Sequence, residues 1–320
     1  MSEESEMAWI AGFWHRIGAL VIDILLLGII GLLSGFALGD YFAQIGIWGR
    51  LVGFSVALVY FGVMNSVIFN GQTLGKKLLK IKVVNSDNQP ISLVKSFGRY
   101  TVLGIPFFLN GAQFSMETMT SFWMYILSIL IFGGLFAIVY LYLFNRRTRQ
   151  SLHDLVFSTY VVNVAGEKQD IENVWKPHLA VVAVLFIASA LVPVFTMNLA
   201  QEEPFSELLK SIDALYQNPA VNYATMSYSF ATAGNDKNNT SYISAQVFVN
   251  KDEVSNPGLA RELAKIITRN CNLTKNRDVL SIVLIYGYDI GIASSWMSHQ
   301  YSFDPDNIDK SGEKKTGKCI

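Results

Sequence analysis

Charge is scarce in this sequence. Only 16% of its 320 residues are Asp, Glu, Lys or Arg, against 51% hydrophobic residues, and the mean hydropathy is +0.33. A chain of that composition exposes too much apolar surface to remain in water by itself. Its formal net charge is zero, so no global basic field exists to attract nucleic acid, and none is expected as a partner. Histidine (4) and cysteine (2) are rarer still. No His, Cys, Asp or Glu cluster has metal-ligand spacing, so neither a metal nor another cofactor is expected. No nucleophile, base and orienting group fall at telling positions, which argues against an enzyme. A cleavable leader is not expected either, because the start, Met1 to Met7, is acidic and the first apolar run lacks a small-residue cleavage site.

What the chain does have is long apolar runs, nearly all before Ala200. Five have the length of a membrane span: Ile17 to Leu38, Ile47 to Phe69, Phe97 to Phe114 with Arg99 and Pro106, Phe122 to Phe144, and Leu179 to Leu199. Lysine and arginine gather in alternate loops. Asn70 to Ser96 holds Lys76, Lys77, Lys80, Lys82 and Lys95, and Asn145 to Pro177 holds Arg146, Arg147, Arg149, Lys168 and Lys176, whereas Gly39 to Ile47 and Ser115 to Ser121 hold none. Positive loops stay inside, which predicts a cytoplasmic N-terminus and a periplasmic or extracellular C-terminal part; the expected host is a bacterial inner membrane. Trp9, Trp14, Trp48, Trp123 and Trp175 then fall near the interfaces.

After Pro204 the pattern changes to that of a soluble domain. Phe205 to Tyr216 and the segment after Asn256-Pro257 read as amphipathic helices. Tyr223 to Thr232, Ser241 to Val249, Val279 to Tyr286 and Ser294 to Phe303 read as strands. The expected fold is therefore an α-helical membrane bundle of about five transmembrane helices with a C-terminal α+β domain: two α-β-β units forming a four-stranded antiparallel sheet. The division is 1–165 for a four-span membrane domain, 166–203 for a cytoplasmic linker and fifth span, and 204–320 for the outer domain. Cys271 and Cys319 both lie in that last part, where an oxidising compartment would favour a disulfide between them; the alternative is two free thiols.

The informative charges sit in and beside the first span. Asp23 is an acid well inside an apolar stretch, where an ionised group usually faces protein or water and marks a functional or pairing site. Arg16 lies seven positions earlier, on the same helical face, but helical side chains lean toward the N-terminus, so it should reach away from Asp23. Its candidate partner is Asp154, in a later loop; the alternative is an Arg16 that simply snorkels to the cytoplasmic interface. Gly71-Gln-Thr-Leu-Gly75-Lys76-Lys77 fails P-loop spacing and is not a nucleotide site. Lys76, Lys77 and Lys80 are expected on anionic lipid headgroups, with Lys80 to Pro90 as a short β-hairpin.

These pieces carry a resemblance. Gly12-Phe-Trp-His-Arg16 leading to Asp23, Gly71 to Val84, and Leu152-His-Asp154 through Val162 resemble the RDD family of membrane proteins, named for one arginine and two aspartates. The resemblance makes Arg16, Asp23 and Asp154 the name-giving residues. It implies a role in transport, with sodium/proton exchange proposed for some members, which would centre here on Asp23 as the ion- or proton-coupling residue. Five spans are few for a transporter, so a homo-oligomer or a membrane-complex partner is expected besides lipid. The common family core lacks the fifth span and the tail, which suggests the other reading: a membrane-anchored assembly or binding protein whose residues 204–320 recruit a protein partner.

Overall fold

The structure, a computed structural model, describes residues 9–114, 116–170, 173–232 and 239–308. The first apolar run folds as α1, Phe13–Ile45, and buries one stripe, Arg16, Ala19, Asp23, Leu27 and Gly31, at helical intervals. At 33 residues it is about 50 Å long, more than a bilayer core needs. A short turn, Gly46–Trp48, leads into α2, Gly49–Met64, which runs back along α1. Among the described residues, three stretches are long and apolar enough to cross a membrane: Phe13–Met64, which contains both helices, Trp123–Phe144 and Lys176–Gln201.

Between them lie α3, Leu74–Leu78, β1, Ile81–Asn85, and α4, Leu93–Leu109. The 17-residue α4 covers most of the expected third span, but Lys95 and Arg99 leave it less apolar than the three stretches above. It packs on α2 through stacked Phe61 and Tyr100, 4.8 Å between ring centroids. Next come α5, Met116–Thr120, and α6, Trp123–Ser128, which passes through a π-helical segment, Ile129–Gly133, into α7, Gly134–Phe144. After α8, Leu152–Val156, and β2, Thr159–Asn163, the last apolar helix, α9, Lys176–Gln201, docks on α6 and α7. The Ser128 hydroxyl donates to the Ser189 carbonyl at 2.6 Å, and Tyr140 meets His178 at 3.0 Å.

Two sequence expectations fail at the loop-rich end of this bundle. Lys80 to Pro90 is not a hairpin: β1 pairs antiparallel with β2, Ile81 opposite Asn163 and Asn85 opposite Thr159, and the following turn closes on Asn85. Apolar residues of both strands are buried, so a long-range partner hides surface that a local hairpin would leave wet. Trp14, Trp48, Trp123 and Trp175 are exposed, but Trp9 is buried against Val84 and Val162 in this small sheet.

The C-terminal domain consists of α10, Phe205–Leu215, β3, Val221–Thr232, β4, Asn239–Val249, α11, Pro257–Asn270, β5, Val279–Asp289, and β6, Ser294–Phe303. The strand order is β3-β4-β5-β6. The helices cover one face, where Leu208, Ile212, Leu215, Leu259, Leu263 and Ile267 meet alternate strand residues such as Ile243, Val247, Ile282 and Leu284. The sheet is mixed, which corrects the antiparallel expectation: β4 and β5 run parallel because α11 carries the chain back across the sheet before β5 begins. Cys271 ends α11, buried at 1% exposure, and burial pushes its thiol pKa up. Cys319 lies outside the described residues, and so does the proposed disulfide.

The domain does not hang free of the bundle. Its β5–β6 turn, Asp289–Ala293, sits between α1 and α2, with Ile292 near Gly31 and Ile290 near Gly53. Phe42 packs edge-on against Tyr288 at 5.5 Å.

Candidate functional site

At the opposite end of the bundle, α1, α3, α4 and α8 bring buried charge together. Asp154 stands in the first turn of α8, where Ser151 and Asp154 cap each other's backbone N–H groups. Its Oδ2 accepts from Arg16 Nη2 at 2.8 Å. Its Oδ1 accepts from Arg99 Nη2 at 2.7 Å, Arg99 Nε at 2.9 Å and Thr159 Oγ1 at 2.9 Å. Arg16 also donates to the Arg149 carbonyl and lies 4.9 Å from the Tyr142 ring. Arg16, Arg99 and Asp154 are 8%, 6% and 0% exposed. Burial alone would raise the Asp154 carboxyl, but Arg99, His153 and Arg16 outweigh it and hold the group well below the usual carboxylate range. The neighbouring His153 is driven by burial down to about 3, so its ring is neutral at physiological pH.

Asp23 occupies a separate niche. Its side chain is fully enclosed, and its oxygens accept from Tyr60 Oη at 2.7 Å, Thr73 Oγ1 at 2.5 Å and the Gly75 N–H at 2.8 Å. The glycine motif explains itself here. Gly71 has φ +73° at the reversal before α3, and a Cβ on Gly75 would collide with the Ala19 carbonyl of α1. Asp23 therefore fastens the start of α3 to the first apolar helix, through Thr73 and the Gly75 amide.

Of the sequence-selected residues, the fold joins Arg16 to Asp154 and leaves Asp23 with its own partners. Lys77 and Lys80 are exposed, whereas Lys76 is half-buried and faces inward, its Nζ only 3.4 Å from Thr73 Oγ1. Burial lowers its pKa to about 8, with Asp23 pulling the other way. Arg99 is the residue that sequence reasoning missed as a site member. Its only signal was position, an arginine at the start of the least apolar span. Among the described residues, no group of three or more His, Cys, Asp or Glu is placed to hold a metal ion.

Membrane-length apolar helices enclosing a polar cluster at one end define an integral membrane protein. Its N-terminal part is an RDD family domain, since the model of that family matches residues 10–158. The match ends before β2, so α9 and the mixed-sheet domain lie beyond it. The chain is similar to the uncharacterized protein YckC of Bacillus subtilis (strain 168), 25% identical over 161 residues, which is 50% of this chain and 89% of that protein. No solved structure matches the chain.

Proposed function

We propose that this chain is a five-span anchor of a bacterial inner membrane, N-terminus inside, whose outer domain binds a protein partner and is held in fixed orientation by the bundle. The observation that carries the reading is the seated β5–β6 turn. Arg50 of α2 donates to Asp289 through Nε at 2.9 Å and Nη2 at 2.7 Å, and its Nη1 reaches the Phe108 and Asn110 carbonyls. A domain that merely trails from α9 needs no second attachment. One that presents a surface to a partner gains from it, because orientation fixed beforehand is not lost again on binding.

The test has two parts. In a background lacking the native cysteines, an impermeant thiol reagent on whole cells should label Lys251→Cys and spare Ser86→Cys, both exposed positions; the reverse pattern overturns the orientation. Recovery of the partner from native membranes should be lost on deleting residues 204–320 and retained in Asp23→Asn.

A second reading, cation/proton exchange centred on Asp23, is favoured by the complete enclosure of that carboxylate within an apolar stretch. Its full set of donors weighs against a site that must release and rebind a proton. Vesicles holding the intact chain should therefore keep an imposed pH gradient when sodium or potassium is added. Dissipation by the wild type that is lost in Asp23→Asn would replace the anchor reading with exchange.

A further inference from the structure

A cavity of about 290 Å³ opens beside the charged cluster, walled by α1, α2, α4 and α7. One end is polar: Arg16, Lys76, Arg99, Asn65 and His153 line it. The other is hydrocarbon, with Leu20 and Leu103 within and Val139 and Leu143 at a mouth on the bundle's apolar exterior, where they are 52% and 47% exposed. We infer that this cavity binds an anionic amphiphile, a phosphate head on a hydrocarbon tail that enters sideways from the membrane.

Three observations carry the inference, independently of what the outer domain binds. The first is charge. Arg16, Arg99 and Lys76 surround Asp154 and Asp23 while His153 is neutral, so three positive charges face two negative ones. Both arginines are ion-paired with Asp154. Lys76 makes no ion pair among the described residues, holding only its long contact to Thr73 and lying 5.9 Å from the Phe61 ring. A cation so placed in low dielectric calls for an anion.

The second is hydrogen bonding. Among the described residues, His153 Nδ1 and Asn65 Oδ1 are buried without hydrogen-bond partners, and their residues are 5% and 3% exposed. A phosphate monoester suits such a mixed set, because it offers acceptor oxygens to Lys76 and, when singly protonated, a hydroxyl to a lone pair. The third is shape. A free inorganic anion would leave the apolar half of the cavity unfilled, whereas a tail lying along Leu103 and Val139 fills it and continues into lipid.

The experiment uses the purified full chain in nonionic detergent with dodecyl phosphate, inorganic phosphate and dodecanol as probes. Dodecyl phosphate should bind saturably and raise Tm, and the other two at equal concentration should do neither. Lys76→Gln should weaken dodecyl phosphate binding at least ten-fold, while Lys77→Gln, exposed one residue away, should leave it unchanged. Val139→Trp, remote from the charges, should block the mouth and weaken binding comparably, and it serves should Lys76→Gln fail to fold. An equal response to dodecanol would overturn the anionic head, and an equal response to inorganic phosphate would overturn the amphiphile in favour of a free anion. Binding that survives both substitutions, or no binding by the wild type, overturns the site.

Discussion

Each end of the bundle joins arginine to aspartate, and the two unions differ in kind. At the loop-rich end Asp154 is enclosed, its side chain 1% exposed, and two guanidinium groups 7% exposed converge on it from α1 and α4. At the sheet end a single pair, Arg50 and Asp289, stays 23% and 28% exposed and links a helix to a turn of the C-terminal domain. Water can replace either partner in the second pair and neither in the first. The buried cluster is therefore a condition for folding, since a guanidinium left alone there has nowhere to send its charge. The exposed pair instead fixes an orientation.

Breaking the buried union should have the largest effect. Asp154→Asn leaves two enclosed arginines uncompensated and should destabilise the bundle by about 3–5 kcal/mol, read as lost folded yield in detergent and a lower thermal midpoint. Arg16→Gln and Arg99→Gln should each cost less, because the other arginine still faces the carboxylate. The double change Arg16→Gln with Asp154→Asn should cost clearly less than the two single effects added. Strict additivity would show that these charges do not interact.

That prediction also marks what was legible beforehand. The partnership of Arg16 with Asp154 follows from the direction in which a helical arginine leans and from the order of three motifs along the chain. Arg99 escaped because an arginine at a membrane interface is the ordinary positive-inside signal, and nothing local distinguishes it from one turned inward. Asp23 drew attention as a charge in an apolar run, but its donors Thr73 and Gly75 arrive from a loop some 50 positions away. The helices and strands of the C-terminal domain were readable because periods of 3.6 and 2 are local properties. Strand direction is not local, and the same alternation serves a parallel β4–β5 pair as well as an antiparallel one.

Acid should sharpen the contrast between the ends. Folded His153 titrates at about 3 against an ordinary 6.5, because burial disfavours its charged form. Between those values the unfolded chain holds the extra proton. Stability should thus fall as pH drops through that window, by up to about 1.4 kcal/mol per pH unit. Asp154, held low, adds a loss in the same direction once pH falls below its ordinary 3.8. His153→Gln should flatten the decline above pH 4 as measured by thermal unfolding at successive pH values, and an unchanged slope would locate the titrating group elsewhere. Asp23→Asn should be milder than Asp154→Asn, costing about 1–3 kcal/mol: an amide keeps one acceptor oxygen but cannot serve all of Tyr60, Thr73 and Gly75.

The smallest expected effect falls on the exposed pair, and there the global measurement is the wrong one. Arg50→Gln should cost only about 0.5–1 kcal/mol, because both charges can be hydrated once separated, and the thermal midpoint should move little. What should change is local. The turn is closed by the Ile290 N–H on the Ala293 carbonyl at 3.0 Å and by the Gly291 N–H on Asp289 Oδ1 at 2.7 Å, so releasing Asp289 from Arg50 frees the carboxylate that braces it. Hydrogen exchange at Ile290 and Gly291 should accelerate several-fold in Arg50→Gln while amides in α1 near Arg16 keep their protection. The reversed pair, Arg50→Asp with Asp289→Arg, should restore protection at Ile290 in part and not at Gly291, since the Gly291 N–H would lose its carboxylate acceptor and the Phe108 and Asn110 carbonyls their donor. Equal acceleration at both ends of α1 would mean that the two ends open together, and the division between a folding cluster and an orienting contact would fall.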